Sequence, residues 1–516
     1  MATAVERSAP AAPESGTIFG HPRGLYVLFF TEMWERFSYY GMRSLLVLYM
    51  VNHLFLKPDV GQRVLGFTAI KGALESVFGP LAAQPLSSQI YGLYTAFVYL
   101  TPFFGGLLAD RVLGQRRAVI LGAVLMAIGH FLMASERMFL PALMFLILGN
   151  GAFKPNISTQ VGSLYPPGDP RRDGAFTIFY MGINLGAFFS PLVCGTLGQK
   201  VGWHYGFGAA GVGMVLGLIL YVWGQRWLGV QPSQVRTTAA GAATSIAVYI
   251  ASVVAGLLLL VLGPALLSLL PVIGRFALLG AAVIALITWL TRAMTALPRD
   301  EALRVGALIV ICALNVVFWA VYEQQGNTMQ LWADQNTDWR FFGLTIPSTW
   351  FQAFNPAMIF LFAPLLNLFW GWQSARKQEP SSVTKMALGC LMLGLSYVVM
   401  IVASQGLTPE AKRSVMWLTG TTVILTFGEL YLSPIGLSFV TKVAPQRMVS
   451  MLMGVWFLAN FFGNYLSGYL GTFWEKISRG QYFTLMTILG IGAGLLMFLI
   501  SRPLDRIVAK HDRGEA

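Results

Sequence analysis

The feature that most constrains this chain is a series of fourteen apolar runs, each about as long as a helix that crosses a bilayer. They lie near residues 25–51, 88–109, 117–135, 138–162, 174–199 and 203–224, then 240–263 and 272–292. Six more follow near 303–331, 345–370, 382–404, 413–443, 448–474 and 480–503. Inside a bilayer, backbone polar groups have no water to bond, so apolar runs of this length must be helical. The prediction is an all-α, multi-pass membrane protein. Composition agrees: 56% of the residues are hydrophobic and 11% charged, against about 25% charged in soluble proteins.

A net charge of +13 could suggest nucleic-acid binding. No Lys/Arg-rich run or strongly basic tail occurs, so the charge is read as the positive bias of cytoplasmic loops. With the N-terminus inside, the inner segments are the richer in Lys and Arg, which places both termini in the cytoplasm. The first 20 residues lack an apolar core and read as a tail, not a signal peptide. Cys194, Cys312 and Cys390 lie far apart in apolar segments, with no metal-ligand or redox spacing, and read as small core residues.

Charges inside these runs are the functional signal. Residues 29–50, FFTEMWERFSYYGMRSLLVLYM, hold Glu32, Glu35, Arg36 and Arg43. On a helix these four, with Tyr39 and Tyr40, fall on one stripe. An ionisable group at the bilayer centre costs at least a few kcal/mol, so it faces protein or a water-filled path and pairs with another charge. Three more buried charges recur: Lys154 in NGAFKPNIS, Glu323 in FWAVYEQQG and Glu429 in FGELYLSP. Counted from the start of their spans, Arg43 and Glu323 stand at similar depth, as do Lys154 and Glu429. Each match sets a cation of the first six spans against an anion of the last six, so Arg43 and Glu323 could pair across the gap. A zwitterion lying across such a cleft would place its carboxylate on Arg43 or Lys154 and its ammonium on Glu429. Pro155 and Pro434 are expected to interrupt helices beside those charges, a usual pointer to a midplane site. The aromatic residues Trp319, Tyr322, Trp456, Tyr39, Tyr40 and Tyr99 could wall side-chain pockets, although aromatics also fill helix interfaces.

The chain also looks doubled. TPFFGGLLADRVLGQRR (Thr101 to Arg117) and FAPLLNLFWGWQSARK (Phe362 to Lys377) each close the second span of a six-span half with a basic loop. Two such halves are the plan of the major facilitator superfamily, with 240–292 as an inserted pair. The expected division is a cytoplasmic tail at 1–24, an N-terminal six-helix bundle at 25–226, a linker with two extra helices at 227–300, a C-terminal bundle at 301–503 and a tail at 504–516.

EMWERFSYYGMR resembles the Glu-x-x-Glu-Arg signature of the proton-dependent oligopeptide transporter (POT/PTR2) family, a branch of that superfamily, and FYMGINLGAFFSP (Phe179 to Pro191) its second signature. YLTPFFGGLLADRVLG, FKPNIS, FWAVYEQQG and FGELYLSPIGLSFVTKVAP are similar to family segments in order, across roughly Tyr26 to Arg502, and the inserted helices resemble those of prokaryotic members. The resemblance implies a proton-coupled symporter of di- and tripeptides in the cell inner membrane; the expected partners are small peptides, protons and the lipid bilayer, with no nucleic acid and no cofactor besides the coupling proton, and the expected state is a monomer. It assigns proton coupling to Glu32, Glu35, Arg36, Lys154 and Glu323. It assigns the peptide carboxylate to Arg43 and Lys154, the amino terminus to Glu429, and the pocket lining to Tyr39, Tyr40, Tyr99, Asn184, Trp319, Asn355, Ser433 and Trp456. Animal relatives carry a histidine in the second span where IYGLY has Gly92, so carboxylates must do that work here.

Two other readings share the fold. A proton-coupled drug exporter predicts buried acids without Arg43 and Lys154, and an importer of a non-peptide anion such as nitrate would ignore dipeptides. An enzyme is not expected. GFGAAG (Gly206 to Gly211) fits a Gly-x-Gly-x-x-Gly pattern but lacks the strand before it and the acid about 20 residues after it, and reads as close helix packing, as does GINLG (Gly182 to Gly186).

Overall fold

Residues Thr17–Ile18 and His21–Pro22 form a short antiparallel pair, and Pro22 then starts the first helix. A computed structural model describes residues 16–229 and 297–512, apart from 167–168, 409–410 and 446–447, together with scattered positions between 247 and 295. Among the described residues twelve long helices follow one another. They are α1 (Arg23–Asn52), α2 (Ala83–Leu108), α3 (Gln115–Leu132), α4 (Phe139–Ser163), α5 (Arg171–Ser190) and α6 (Trp203–Gly224), then α7 (Arg299–Tyr322), α8 (Phe354–Ala375), α9 (Ser382–Ser404), α10 (Val415–Val443), α11 (Val449–Gly471) and α12 (Arg479–Asp512). Ten of the described helical segments are long and apolar enough to cross a membrane. Helix α1 has the length, and its charges set it apart from the rest. The predicted spans 240–263 and 272–292 lie outside the described residues.

Two helix starts are capped by side chains. The Ser381 side chain accepts from the Thr384 N–H and that of Ser414 from the Met416 N–H, each satisfying a donor left free in the first turn. Gly114 (φ 72°) turns the chain from α2 into α3, a conformation that costs glycine little.

Small residues let the helices approach closely. A Cβ on Gly105 of α2 would lie 1.9 Å from the Gly151 carbonyl oxygen of α4, so backbones touch there, as they do at small-residue crossings in membranes. Gly182 and Gly186 of α5 seat in the same way on Phe29 and Met33 of α1, and Gly206 and Gly211 of α6 on Cys194 and Phe131. GFGAAG is thus helix packing. All three cysteines are free and buried.

Helices α1 to α6 pack among themselves and α7 to α12 among themselves. Helix α2 against α11 and α5 against α8 join the two sets. Gly24, at the start of α1, abuts Leu164 just past α4 and the Trp227 carbonyl, so the first turn of α1 and the last turns of α4 and α6 share one end of the molecule.

Four expectations change. Residues 303–331 are not one helix: α7 ends at Tyr322, a 3-10 turn covers Glu323–Gly326, and a new helix runs over Thr328–Gln335. Pro155 and Pro434 do not interrupt α4 and α10, which run through them, as membrane helices can when neighbours receive the freed carbonyls. The span ending at 199 closes with two π-helical turns, Pro191–Gly195 and Leu197–Val201. The last helix continues to Asp512, past its expected end at 503.

Candidate functional site

The stripe on α1 is buried as the helical count predicts: Glu32 and Glu35 are 0% exposed, Arg36 7% and Arg43 8%. Two charged clusters form on it. In the first, the Arg36 guanidinium donates from Nε and Nη2 to both oxygens of Glu35, the Nη2–Oε1 distance being 2.5 Å. Arg36 Nε also lies 3.5 Å from Glu32 Oε1, and Lys154 of α4 donates to that same oxygen. Asn150, one turn before Lys154, accepts from Arg36 Nη2 at 3.4 Å and donates to the Val98 carbonyl of α2. Two acids and two bases therefore balance, which is the condition for leaving them in a low-dielectric interior. The Arg36 guanidinium rests over the Tyr39 ring at 4.9 Å and the Tyr40 ring at 5.8 Å.

The second cluster crosses between the two sets of helices. Arg43 Nη2 donates to Glu323 Oε2 at 2.5 Å and Arg43 Nε to the Tyr91 hydroxyl at 2.8 Å. Arg43 and Glu323 do meet at matched depth. Tyr91 of α2, fully buried, is missed by sequence reasoning. It is one of several aromatic residues along that span, and nothing but geometry distinguishes it.

The second matched-depth couple does not pair: Lys154 is held by Glu32 on its own side. Glu429 of α10 instead accepts from Asn355 Nδ2 of α8 at 2.8 Å, while Tyr322 donates its hydroxyl to Asn355 Oδ1 at 3.4 Å. Asn355 also donates to Thr426 Oγ1 at 3.1 Å. Among the described residues no Lys or Arg lies within ion-pair distance of half-buried Glu429.

The remaining candidates carry no charge. Trp319 is buried, its ring 5.2 Å from that of Tyr322. Trp456 is buried over Gly436 of α10. Asn184 bonds back to the Tyr180 carbonyl of its own helix. Tyr99 and Ser433 are half-buried. None of Tyr99, Asn184, Ser433 and Trp456 hydrogen-bonds to the charged groups. At Gly92, the histidine position of animal relatives, a Cβ would fall 2.5 Å from Gly468 Cα of α11, so no side chain fits there in this conformation.

The cleft is open at one end. Around the ends of α4, α5, α10 and α11 lies a cavity of about 760 Å³, lined by Thr159, Arg172, Phe176, Leu437, Met453 and Phe457 among others. The opposite end is shut. There Arg43 meets Glu323, Asn52 Nδ2 of α1 donates to Asp334 Oδ2 at 2.9 Å, and Gln199 Nε2 donates to Ser348 Oγ at 2.8 Å. A smaller cavity of about 560 Å³ lies beside this seal, lined by Lys200, Asp334, Arg340 and Lys412 among others.

Comparison with known proteins places this geometry. The family described as the POT family matches residues 116–485. The chain belongs to the POT family. It is 36% identical over 89% of its length to a peptide transporter of Yersinia enterocolitica, covering 89% of that protein. It is 33% identical over 95% of its length to a di-/tripeptide transporter of Lactococcus lactis subsp. cremoris, covering 97% of it. Its fold matches the crystal structure of a peptide transporter POT in complex with sulfate, with a TM-score of 0.78 and 35% identity over 96% of this chain and 97% of that one. POT-family proteins are transporters with the major facilitator fold, so the predicted class holds and the chain is a multi-pass membrane protein.

Proposed function

We propose that this POT-family protein is a proton-coupled symporter that takes up di- and tripeptides by alternating access. The observation that carries the reading is an asymmetry of charge. Arg43 and Lys154 are each held by a carboxylate, while among the described residues no cation lies within ion-pair distance of Glu429 on the other wall. An ionised carboxylate in a low-dielectric cleft is costly without a partner. Protonating Glu323, or an acid of the Glu32/Glu35 pair, removes the hold on Arg43 or Lys154, and the freed cation takes the peptide carboxylate. Glu429 takes the ammonium, with Asn355 and Tyr322 fixing its position. Tyr39, Tyr40, Tyr99, Asn184, Trp319, Ser433 and Trp456 shape the pocket. Proton and peptide thus favour the same state, which is the requirement for coupling, and the membrane potential draws the added positive charge inward.

In this reading the protein sits in the inner membrane as a monomer with both termini cytoplasmic. The open cavity then faces the cytoplasm and the Arg43–Glu323 seal faces outward. The relatives' names, peptide transporter and di-/tripeptide transporter, support the cargo. A drug exporter has no use for Arg43 and Lys154 as carboxylate receptors.

The test is Glu323→Gln in proteoliposomes. Uptake of labelled dipeptide driven by a proton gradient should be lost while peptide counterflow persists. Unaltered driven uptake with loss of counterflow would show the assignment to be wrong. Competition by unlabelled dipeptides, and not by nitrate or lipophilic cations, separates the three cargo classes.

A further inference from the structure

Between α7 and the helix Thr328–Gln335 the chain leaves the α-helical path for five residues, Glu323 to Asn327, the last with φ −114° and ψ −100°. This short turn touches five different neighbours. Glu323 holds Arg43 of α1. Gln324 Nε2 donates to the Ser467 carbonyl of α11 at 3.0 Å, and its Oε1 accepts from the Tyr482 hydroxyl of α12 at 2.9 Å. The Gln325 carbonyl accepts from Gln352 Nε2, just ahead of α8, at 2.6 Å. Gly326 has no room for a side chain: a Cβ there would lie 2.1 Å from the Tyr91 hydroxyl and 2.9 Å from Arg43 Nε. Asn327 Oδ1 accepts from Ser88 Oγ of α2 at 2.9 Å, and its Nδ2 reaches the Ser467 carbonyl of α11 at 3.5 Å.

The Asn327 contact spans the two sets of helices at their tightest crossing. Gln84 Nε2 donates to Ser88 Oγ at 2.8 Å and to the Gly471 carbonyl at 3.1 Å, and one turn further in Gly92 lies against Gly468. Ser88, Gln324 and Asn327 are each 0% exposed. A buried network of this kind is costly to break one bond at a time, because each abandoned group is left unsatisfied.

We propose that the turn Glu323–Asn327 carries the state of the Arg43–Glu323 pair to the α2–α11 crossing, and that Asn327 is the positioning residue that holds this crossing shut. The Arg43 guanidinium and Tyr91 hydroxyl press on the backbone of Gly326, one residue from Asn327. When the pair separates, the turn loses its anchor on α1, and the Asn327 bonds to Ser88 and Ser467 are pulled with it. The proposal rests on alternating access as the mode of action and not on peptide being the cargo.

The test is amide hydrogen exchange on the full chain in lipid nanodiscs, without substrate. Asn327→Ala should raise exchange at residues 84–92 and 464–471 and lower it at 156–163 and 434–443, as the outer end opens and the inner mouth closes. The ratio of open to closed outer end should shift roughly fivefold, the effect of one buried hydrogen bond. Gly92→Ala, which props the same crossing apart without touching the turn, should move exchange in the same two directions. Ser88→Ala serves if Asn327→Ala does not fold. A merely loosened fold raises exchange at both ends, and that result, or no change at either end, overturns the proposal. Because no peptide is present, failure here leaves the cargo assignment standing, whereas failed dipeptide uptake leaves this assignment standing.

Discussion

In the proposed function, cargo recognition turns on Glu429. Its carboxylate is oriented by Asn355 and faces no described cation, so it is the strongest available acceptor for a substrate ammonium. A hydrogen bond to a charged group contributes about 1.5–3 kcal/mol. Glu429→Gln should therefore raise KM for a dipeptide with a free amino terminus by roughly ten- to a hundredfold. The inhibition constant of an N-acetylated dipeptide, which offers no ammonium, should not move. Equal loss for both ligands in uptake competition would remove Glu429 from the amino-terminal role. The residues of this site divide by legibility. Glu32, Glu35, Arg36, Arg43, Lys154, Glu323 and Glu429 were visible because a charge in an apolar run needs a reason. Tyr91, Asn150 and Gly326 were not, since a tyrosine, an amide or a glycine is ordinary in such a run and only position makes it matter.

Element boundaries reflect the same distinction between composition and geometry. Long apolar runs specified where α1 to α12 lie, and α6 and α9 coincide with their predicted spans. The break after Tyr322 falls on the polar stretch EQQGNT, which the length of the predicted span masked, and the partners on five other elements that hold the turn are visible only in the fold. The crossing of α2 and α4 depends on two glycines in contact, Gly105 and Gly151. Gly105→Val would force the backbones apart, and overpacking of this kind costs about 1–3 kcal/mol. Thermal unfolding of the detergent-solubilised protein should show a lowered Tm for Gly105→Val. At Gly72 of the short helix Phe67–Phe78, by contrast, nothing lies within 4 Å of an added Cβ, and Gly72→Ala should leave Tm unchanged or slightly raised. A Gly105→Val protein as stable as the parent would show that the two helices do not depend on this contact.

At the scale of the whole molecule the question is which acids set the pH dependence of transport. Hydrogen bonds from the Arg171 side chain and backbone N–H hold Asp169 at about 2, and those from Arg340 hold Asp338 at about 2. A carboxyl depressed in this way keeps its full contribution above its unfolded value of about 3.8 and loses it only as pH falls through about 2. Neither loop acid titrates over the range in which uptake is measured. Asp169→Asn and Asp338→Asn should give uptake profiles from about pH 5 to 8 that superimpose on the parent after scaling, while Glu323→Gln flattens the profile. A shifted midpoint in either loop variant would assign part of the proton response to the surface. The charge balance of the cleft has an electrical consequence. Glu32 and Glu35 offset Arg36 and Lys154, and Arg43 offsets Glu323, so of these described cleft groups Glu429 is left over and the walls bring almost no charge of their own to the moving parts. The current per turnover on a solid-supported membrane is then written by the passengers, and replacing an alanine in the dipeptide by lysine should add one elementary charge to it.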